Sequence, residues 1–431
     1  MRVFLSILVL LITVGITLGL FLRDEALRPE VSALIALTDP PTDSHAYAYL
    51  LGLASPADQT PSSAGQALIK QLRIQEQQAN TPPEAEDVIL TPDTSLPEPE
   101  GPLFCRFNTY NCPDTLFADI TALENALSEH RILLKRWRTF ITLDDFAVLS
   151  LPQLSEPLPP YRHLQRSARL SLLDSIRLAK TGEIETARSQ LLNDINQTRR
   201  LLTQDSHLIG KMVATSLVSD QIDLLHALSQ RFELPRTALA PLNSAEKSLE
   251  NAMAREFAGI AHVFRQMDAN PYLLDSTHGL PHWSVSLLYK PGISINAIWP
   301  VYQDIIASAQ QSPADFVAYL EHTPNPFPEP HWVTNPIGTI LNQIAIPDMR
   351  QYAGRLQDIE VKIELFNAWA ETDGQSKDAG ALQVINPYYP NRSTELELES
   401  NGQVCLKGPL YDPGGLRCLN GLKPDLGAND L

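Results

Sequence analysis

Twenty consecutive residues, Val3 to Leu22, carry neither a charge nor a proline. As an α-helix rising about 1.5 Å per residue they would span roughly 30 Å, the thickness of a bilayer's hydrocarbon core. A cleaved signal peptide shows a shorter apolar stretch and a small-x-small exit. The only such exit here, Thr17-Leu18-Gly19, lies inside the apolar run, so residues 1–22 are expected to stay as a transmembrane signal-anchor. Flanking charge leaves the orientation open, because Arg2 precedes the span while Arg23 and Arg28 follow it.

The cysteines decide the orientation. Cys105 and Cys112, and Cys405 and Cys418, form two local pairs beside turn-forming residues such as Asn111, Pro113, Pro413 and Gly414. Two disulfides are expected; local pairing is the simplest of three connectivities, and a bridge between the pairs would instead staple the start of the body to its end. Zinc is the rival reading. Neither C-x6-C nor C-x12-C is a usual zinc spacing, and no histidine stands within ten residues of any of the four. Disulfides persist in oxidising compartments, so the expected topology is a single pass through the inner membrane with the body in the periplasm.

The remaining pattern predicts a mainly α fold. A juxtamembrane helical segment (23–78) contains the apolar stretch Ser44 to Leu53 and a helix over Gly65 to Gln78. An acidic, proline-rich linker (79–103) follows. No basic residue lies between Arg73 and Arg106, while Glu84, Glu86, Asp87, Asp93, Glu98 and Glu100 are acidic and Pro82, Pro83, Pro92, Pro97 and Pro99 interrupt regular structure. It reads as a solvated tether, with an acidic docking arm for a basic partner as the sharper alternative.

A helical body (104–372) comes next. Asp114 can cap one helix carrying Leu116, Ile120, Leu123, Leu127, Leu134 and Trp137 on a face. Tyr161 to Lys180 and Ile184 to Thr203 form an amphipathic hairpin about Thr181-Gly182-Glu183. Asn243 with Glu246 makes a capping box for a helix running to Met267. Asn270 to Pro300 and Thr323 to Pro336, rich in Pro and aromatics, are expected to be loops around a helix at Tyr302 to Leu320. Ile337 to Trp369 suits one long helix with a break at Pro347.

The last segment (373–431) is expected to be a small disulfide-bearing β-hairpin element. Thr394 to Glu399 alternates polar and apolar residues, Asn401-Gly402 is a hairpin turn, and Gln403 to Leu406 returns.

Catalytic signals are weak. Ser244-Ala245-Glu246-Lys247, Ser294-Ile295-Asn296 and Lys180-Thr181-Gly182 match the three penicillin-binding triplets, but Lys-Thr-Gly precedes the serine motifs instead of following them. His278 and His282 lie four apart, with His322 and His331 further on, and no H-E-x-x-H accompanies them. Nucleotide-binding and nucleophile-elbow glycine motifs are missing from the sequence, so no cofactor or metal is expected. Asp144, Asp145, Asp358 and Glu360 read as surface carboxylates. A formal charge of −17 argues against a nucleic-acid partner, which needs a basic face. What stands out is an aromatic set, Trp283, Tyr289, Trp299, Phe327 and Trp332, outside the expected helices. Such residues either pack loops onto the body or present a binding surface.

Two resemblances follow from these residues. The hairpin, through Ala179, Gly182 and Ala187, resembles a single tetratricopeptide-like unit, although no second copy follows at a fixed period. Leu288-Tyr289-Lys290-Pro291-Gly292-Ile293-Ser294-Ile295-Asn296, Thr334-Asn335-Pro336-Ile337-Gly338 and Leu208-Ile209-Gly210-Lys211-Met212 resemble segments of uncharacterised single-span, membrane-anchored envelope proteins of Gram-negative bacteria. That resemblance implies a bacterial inner-membrane setting and no activity. The expected function is a non-enzymatic interaction or scaffold component of the envelope, its partners the lipid bilayer and another protein. The alternative is an extracytoplasmic hydrolase acting on envelope polymers or peptides.

Overall fold

In the computed structural model, the chain is mainly helical with a small three-stranded sheet near its C-terminus. The structure describes residues 23–78, 95–107, 109, 112–153, 156–232, 234–269, 287–324, 326–345, 349–371, 384–392, 396–398 and 403–420. The expected span Val3 to Leu22 lies outside them, as does most of the acidic linker. Among the described residues no helix is long and apolar enough to cross a membrane.

Three helices open the body: α1 (Pro29–Ala36), α2 (His45–Leu51) and α3 (Pro61–Gln78). The N-terminus of α2 is closed by the Asp145 carboxylate, which accepts from the backbone N–H groups of His45 and Ala46 at 2.6 and 3.0 Å. Asp145 is therefore a cap and not an idle surface group. Burial works against its charge, but these bonds outweigh it and hold its pKa below the usual range.

The single helix expected after Asp114 is three: α4 (Cys112–Ala118), α5 (Ile120–Glu129) and α6 (Arg131–Phe140). Asp119 restarts the chain by accepting from Thr121 N–H at 2.8 Å, a cap in the middle of what reads as one apolar stripe. Arg136 of α6 then gathers four carbonyls, those of Leu53, Ser55, Pro56 and Gln59, at 2.6 to 2.9 Å, and fixes the α2–α3 connection to the body.

The hairpin forms as expected, from α7 (Tyr161–Lys180) and α8 (Ile184–Gln204). Gly182 sits at φ 92°, a conformation glycine adopts without strain, and Glu183 and Gly182 donate back to the Leu178 and Ala179 carbonyls at 2.9 and 3.2 Å. Helix α9 (Leu208–Arg231) packs against α8 and is buried along most of its length. The capping box of Asn243 and Glu246 is present, but it closes the one-turn helix α10 (Ser244–Lys247) before a break and α11 (Glu250–Ala269).

The largest correction concerns the stretch expected to be a loop up to Pro300. It holds α12 (Pro291–Ala309), a helix with Pro300 inside it. Pro291 at the first turn lacks only an N–H that no helical carbonyl would have used. The next free donors, Gly292 and Ile293 N–H, bond Asp24 at 2.8 and 3.1 Å, a cap from 268 residues away. Helices α13 (Pro313–His322), α14 (Pro336–Ala345) and α15 (Arg350–Glu371) complete the body, so the expected long last helix is two.

Strands β1 (Leu396–Leu398), β2 (Val404–Leu406) and β3 (Cys418–Leu419) pair antiparallel in that order. Both disulfides are local, Cys105–Cys112 and Cys405–Cys418, the second joining directly opposed residues of β2 and β3. Strand β3 has no counterpart in the sequence reading, and the turn at Asn401-Gly402 lies outside the described residues. Leu406 and Leu419 are fully buried in the same apolar core as Trp137, Ile222 and Ile359, so the sheet is seated on the helices.

Candidate functional site

Charged side chains rarely go inside unless they are paired. This body buries several, and the densest group surrounds His207, in the turn between α8 and α9. Its Nε2 lies 2.9 Å from Glu156 Oε1 and its Nδ1 3.2 Å from Asp205 Oδ1. Tyr161 donates to Asp205 Oδ2 at 2.9 Å. Arg255 and Ser150 both donate to Glu156, and Tyr47 meets Ser150 Oγ at 3.0 Å. Burial disfavours the imidazolium, but hydrogen bonds to Asp205 and Glu156 overcome it and raise the His207 pKa. Glu156 is the mirror case: burial pushes it up, and His207 with Arg255 brings it below its ordinary value. The serine donates to the Glu156 carboxylate and not to the imidazole.

A second group ties the C-terminal sheet to α9. Lys362, with 0 % of its side chain exposed, donates to Asp223 Oδ2 at 2.7 Å and to Ser219 at 2.8 Å. Asp223 also accepts from Asn420, through Nδ2 at 2.8 Å and the backbone N–H at 3.2 Å. The Asn420 carbonyl accepts from His226 Nδ1 at 2.8 Å. Burial lowers His226 to about 4, which keeps it neutral. Elsewhere Arg199 grips Glu246 through two bonds of 2.6 and 2.7 Å. Buried Lys211, lowered to about 8 by its surroundings, donates to the Leu202 and Glu246 carbonyls. Asp358 is not a surface carboxylate either. Burial raises it to about 6, and it accepts from Tyr388 at 2.7 Å and Arg417 at 3.3 Å. Glu360 bonds Lys247 at 2.9 Å.

A pocket of about 370 Å³ opens between α13, α15 and the tail, lined by Val317, Leu320, Glu321, Arg350, Tyr389, Pro409 and Leu410. Arg350 already holds Asp304 through two bonds of 2.8 Å.

The aromatic set disperses. Trp283 lies outside the described residues. Tyr289, 1 % exposed, is core and not surface, its hydroxyl donating to the Phe264 carbonyl at 2.8 Å. Trp299 belongs to α12, half-buried edge-on to Phe257 at 6.2 Å. Only Phe327 and Trp332 stand exposed.

Other apolar side chains that sequence periodicity did not single out share that exposure. Ile74, Leu151, Leu158 and Ile209 do so around the His207 group. Leu151 N–H bonds Glu76 of α3 at 2.9 Å, and the Glu156–His207 pair brings the Leu158 segment to the start of α9. These contacts link the segments that carry the four. The acidic arm leaves α3 at Gln78, four residues beyond Ile74.

The penicillin-binding triplets do not converge. Ser244 begins the capped turn, Lys180 Nζ donates to the Phe117 carbonyl at 2.7 Å, and Ser294 Oγ bonds the Lys290 carbonyl at 2.9 Å. His278 and His282 lie outside the described residues, His322 Nδ1 is 2.7 Å from the Ala318 carbonyl, and among the described residues no group of His, Cys, Asp and Glu is placed to hold a metal ion. Comparison with protein-family models, curated proteins and solved structures finds no match to this chain.

Proposed function

We propose that this chain is a single-span inner-membrane protein of a bacterial envelope, anchored by residues 3–22, whose periplasmic helical body is a scaffold that holds a protein partner. The charge-free run Val3 to Leu22 and the two disulfides support the placement. The observation that carries the scaffold reading is the division of side chains. The buried ionisable groups described above are spent on one another and on backbone carbonyls, while Ile74, Leu151, Leu158 and Ile209 are left at the surface. An apolar centre with a charged rim is the anatomy of a protein interface. The α7–α8 hairpin, with its tetratricopeptide-like turn, is the rigid element beneath it. The partner this reading calls for has an apolar contact surface, and the acidic run Glu84, Glu86, Asp87 and Asp93 in the sequence favours one that is also basic.

A photo-crosslinking residue in place of Leu158 or Ile209, in the full chain in native membranes, should give a discrete protein adduct that Ile74→Glu diminishes several-fold. Absence of any adduct at both positions would sink the scaffold reading. So would cleavage of envelope peptides or glycans by the purified chain that is lost when Glu321, beside the 370 Å³ pocket, is changed to Gln. For topology, a periplasm-dependent reporter fused after Leu431 should be active and a cytoplasm-dependent one silent; the reverse pattern overturns the placement.

A further inference from the structure

Among the described residues, helix α14 is fastened along the side that faces α12. Gly338 lies so close to α12 that a Cβ there would meet Ser294 Oγ at 2.0 Å, and Asn342 Nδ2 donates to the Ser294 carbonyl at 3.1 Å. At about 100° per residue, Ile340 and Ile344 fall on the opposite side. They are exposed, Ile344 to 77 %. Trp332 and Val333, 52 % and 77 % exposed, stand in the turn that leads into α14, and exposed Leu288 lies three residues ahead of α12. From Pro326 to Ala345 the only formal charge is Glu329, with His331 beside it.

The same end of α12 receives the start of the described chain. Asp24 caps Gly292 and Ile293, Asn296 Oδ1 accepts from Arg28 N–H at 3.1 Å, and Asn296 Nδ2 donates to the Ala26 carbonyl at 3.0 Å. Ser294, on which α14 rests, lies between these contacts. All of them fall within the first two turns of α12, about 11 Å of helix. One residue, Arg23, separates Asp24 from the end of the apolar run at Leu22.

We infer that Leu288, Trp332, Val333, Ile340 and Ile344 form a face that rests in the interfacial layer of the bilayer; this rests on the anchor reading above. A membrane that holds residues 3–22 must come within a residue or two of Asp24, and Asp24 is bonded to the helix end that carries this face. The chemistry suits that place. Tryptophan concentrates at the membrane–water boundary, and apolar side chains without neighbouring charge gain from leaving water there. Nearby Arg23 and Arg28 are offset by Asp24, Glu25 and Glu30, so the contact is apolar and does not need anionic lipid.

The test uses the full chain carrying Ile344→Cys, labelled with an environment-sensitive nitrobenzoxadiazole and reconstituted into phosphatidylcholine vesicles. Flotation with the vesicles reports the anchor. On floated protein the label should emit to the blue, be quenched by lipids doxyl-labelled at a shallow acyl position, and be quenched by aqueous iodide several-fold less than a label at Tyr411→Cys, an exposed tail position. Raising the salt should change none of this. Protein that floats with an iodide-accessible label at position 344 overturns this inference and leaves the anchor standing. A label shielded from both quenchers points to a protein or a second copy on this face and also overturns it. Failure to float at any protein-to-lipid ratio overturns anchor and face together.

Discussion

His207 is held between two carboxylates, Asp205 and Glu156, with Arg255 as the further cation on Glu156. Its pKa is raised on folding, so the stability it contributes is complete below the ordinary value of 6.5 and declines as pH rises through the folded value. Glu156, depressed on folding, contributes above its ordinary 4.5 and loses that contribution as pH falls through the folded value. The two windows overlap between about 4.5 and about 6.5, where the group works in full. His207→Asn leaves Asp205 and Glu156 facing each other with only Arg255 to balance them. Urea denaturation of the variant near pH 6 should show a loss of about 3 kcal/mol, the range for breaking one partner of a buried pair. The loss should shrink steadily above neutrality. A constant difference from pH 6 to 9 would mean that the imidazole contributes packing and no charge.

At the scale of elements, the C-terminal sheet is held within itself by the Cys405–Cys418 bond and to the helices by several contacts, among them those of Asn420 with Asp223 and His226 and of Arg417 with Asp358. The disulfide closes a loop of thirteen positions, worth about 3 kcal/mol in the entropic model. Cys418→Ser should therefore increase proteolysis of the tail only partly, with the helical circular dichroism nearly unchanged. Adding Asp223→Asn, which removes the anion facing Lys362, should increase that proteolysis further; complete release by Cys418→Ser alone would show that Asn420 holds nothing.

Elements with local signals were legible in the sequence. The α7–α8 hairpin announces itself through a glycine at a position with positive φ, and the Asn243–Glu246 capping box through two residues three apart. Helix α12 was not legible, because its two prolines read as breakers while the carboxylate that caps it lies 268 residues away at Asp24. The break at Asp119 hid inside an unbroken apolar stripe. For the same reason the candidate site was only half legible. Phe327 and Trp332 are exposed as a binding set requires, but Tyr289 turned inward because the Phe264 carbonyl gives its hydroxyl a buried partner. Ile74, Leu151, Leu158 and Ile209 come from segments whose nearness depends on ion pairs between distant residues.

For the molecule as a whole, the pairing of Asp223 with Asn420 across 197 residues sets an order of events. Synthesis at about 5–20 residues per second separates the two by roughly 10–40 s. Lys362, the other partner of Asp223, arrives only late in that interval. Until then the Asp223 carboxylate, buried on α9, lacks the ammonium that bonds it directly, and closing the helices around it leaves its charge incompletely compensated. A chain ending at Leu419, in which Lys362 still pairs with Asp223, should accordingly lose part of its protease resistance, and the same chain extended by Asn420 should recover it. Asn420 supplies the amide that completes the hydrogen bonds of Asp223, so the network around this carboxylate closes late in synthesis, long after α9 itself has been made.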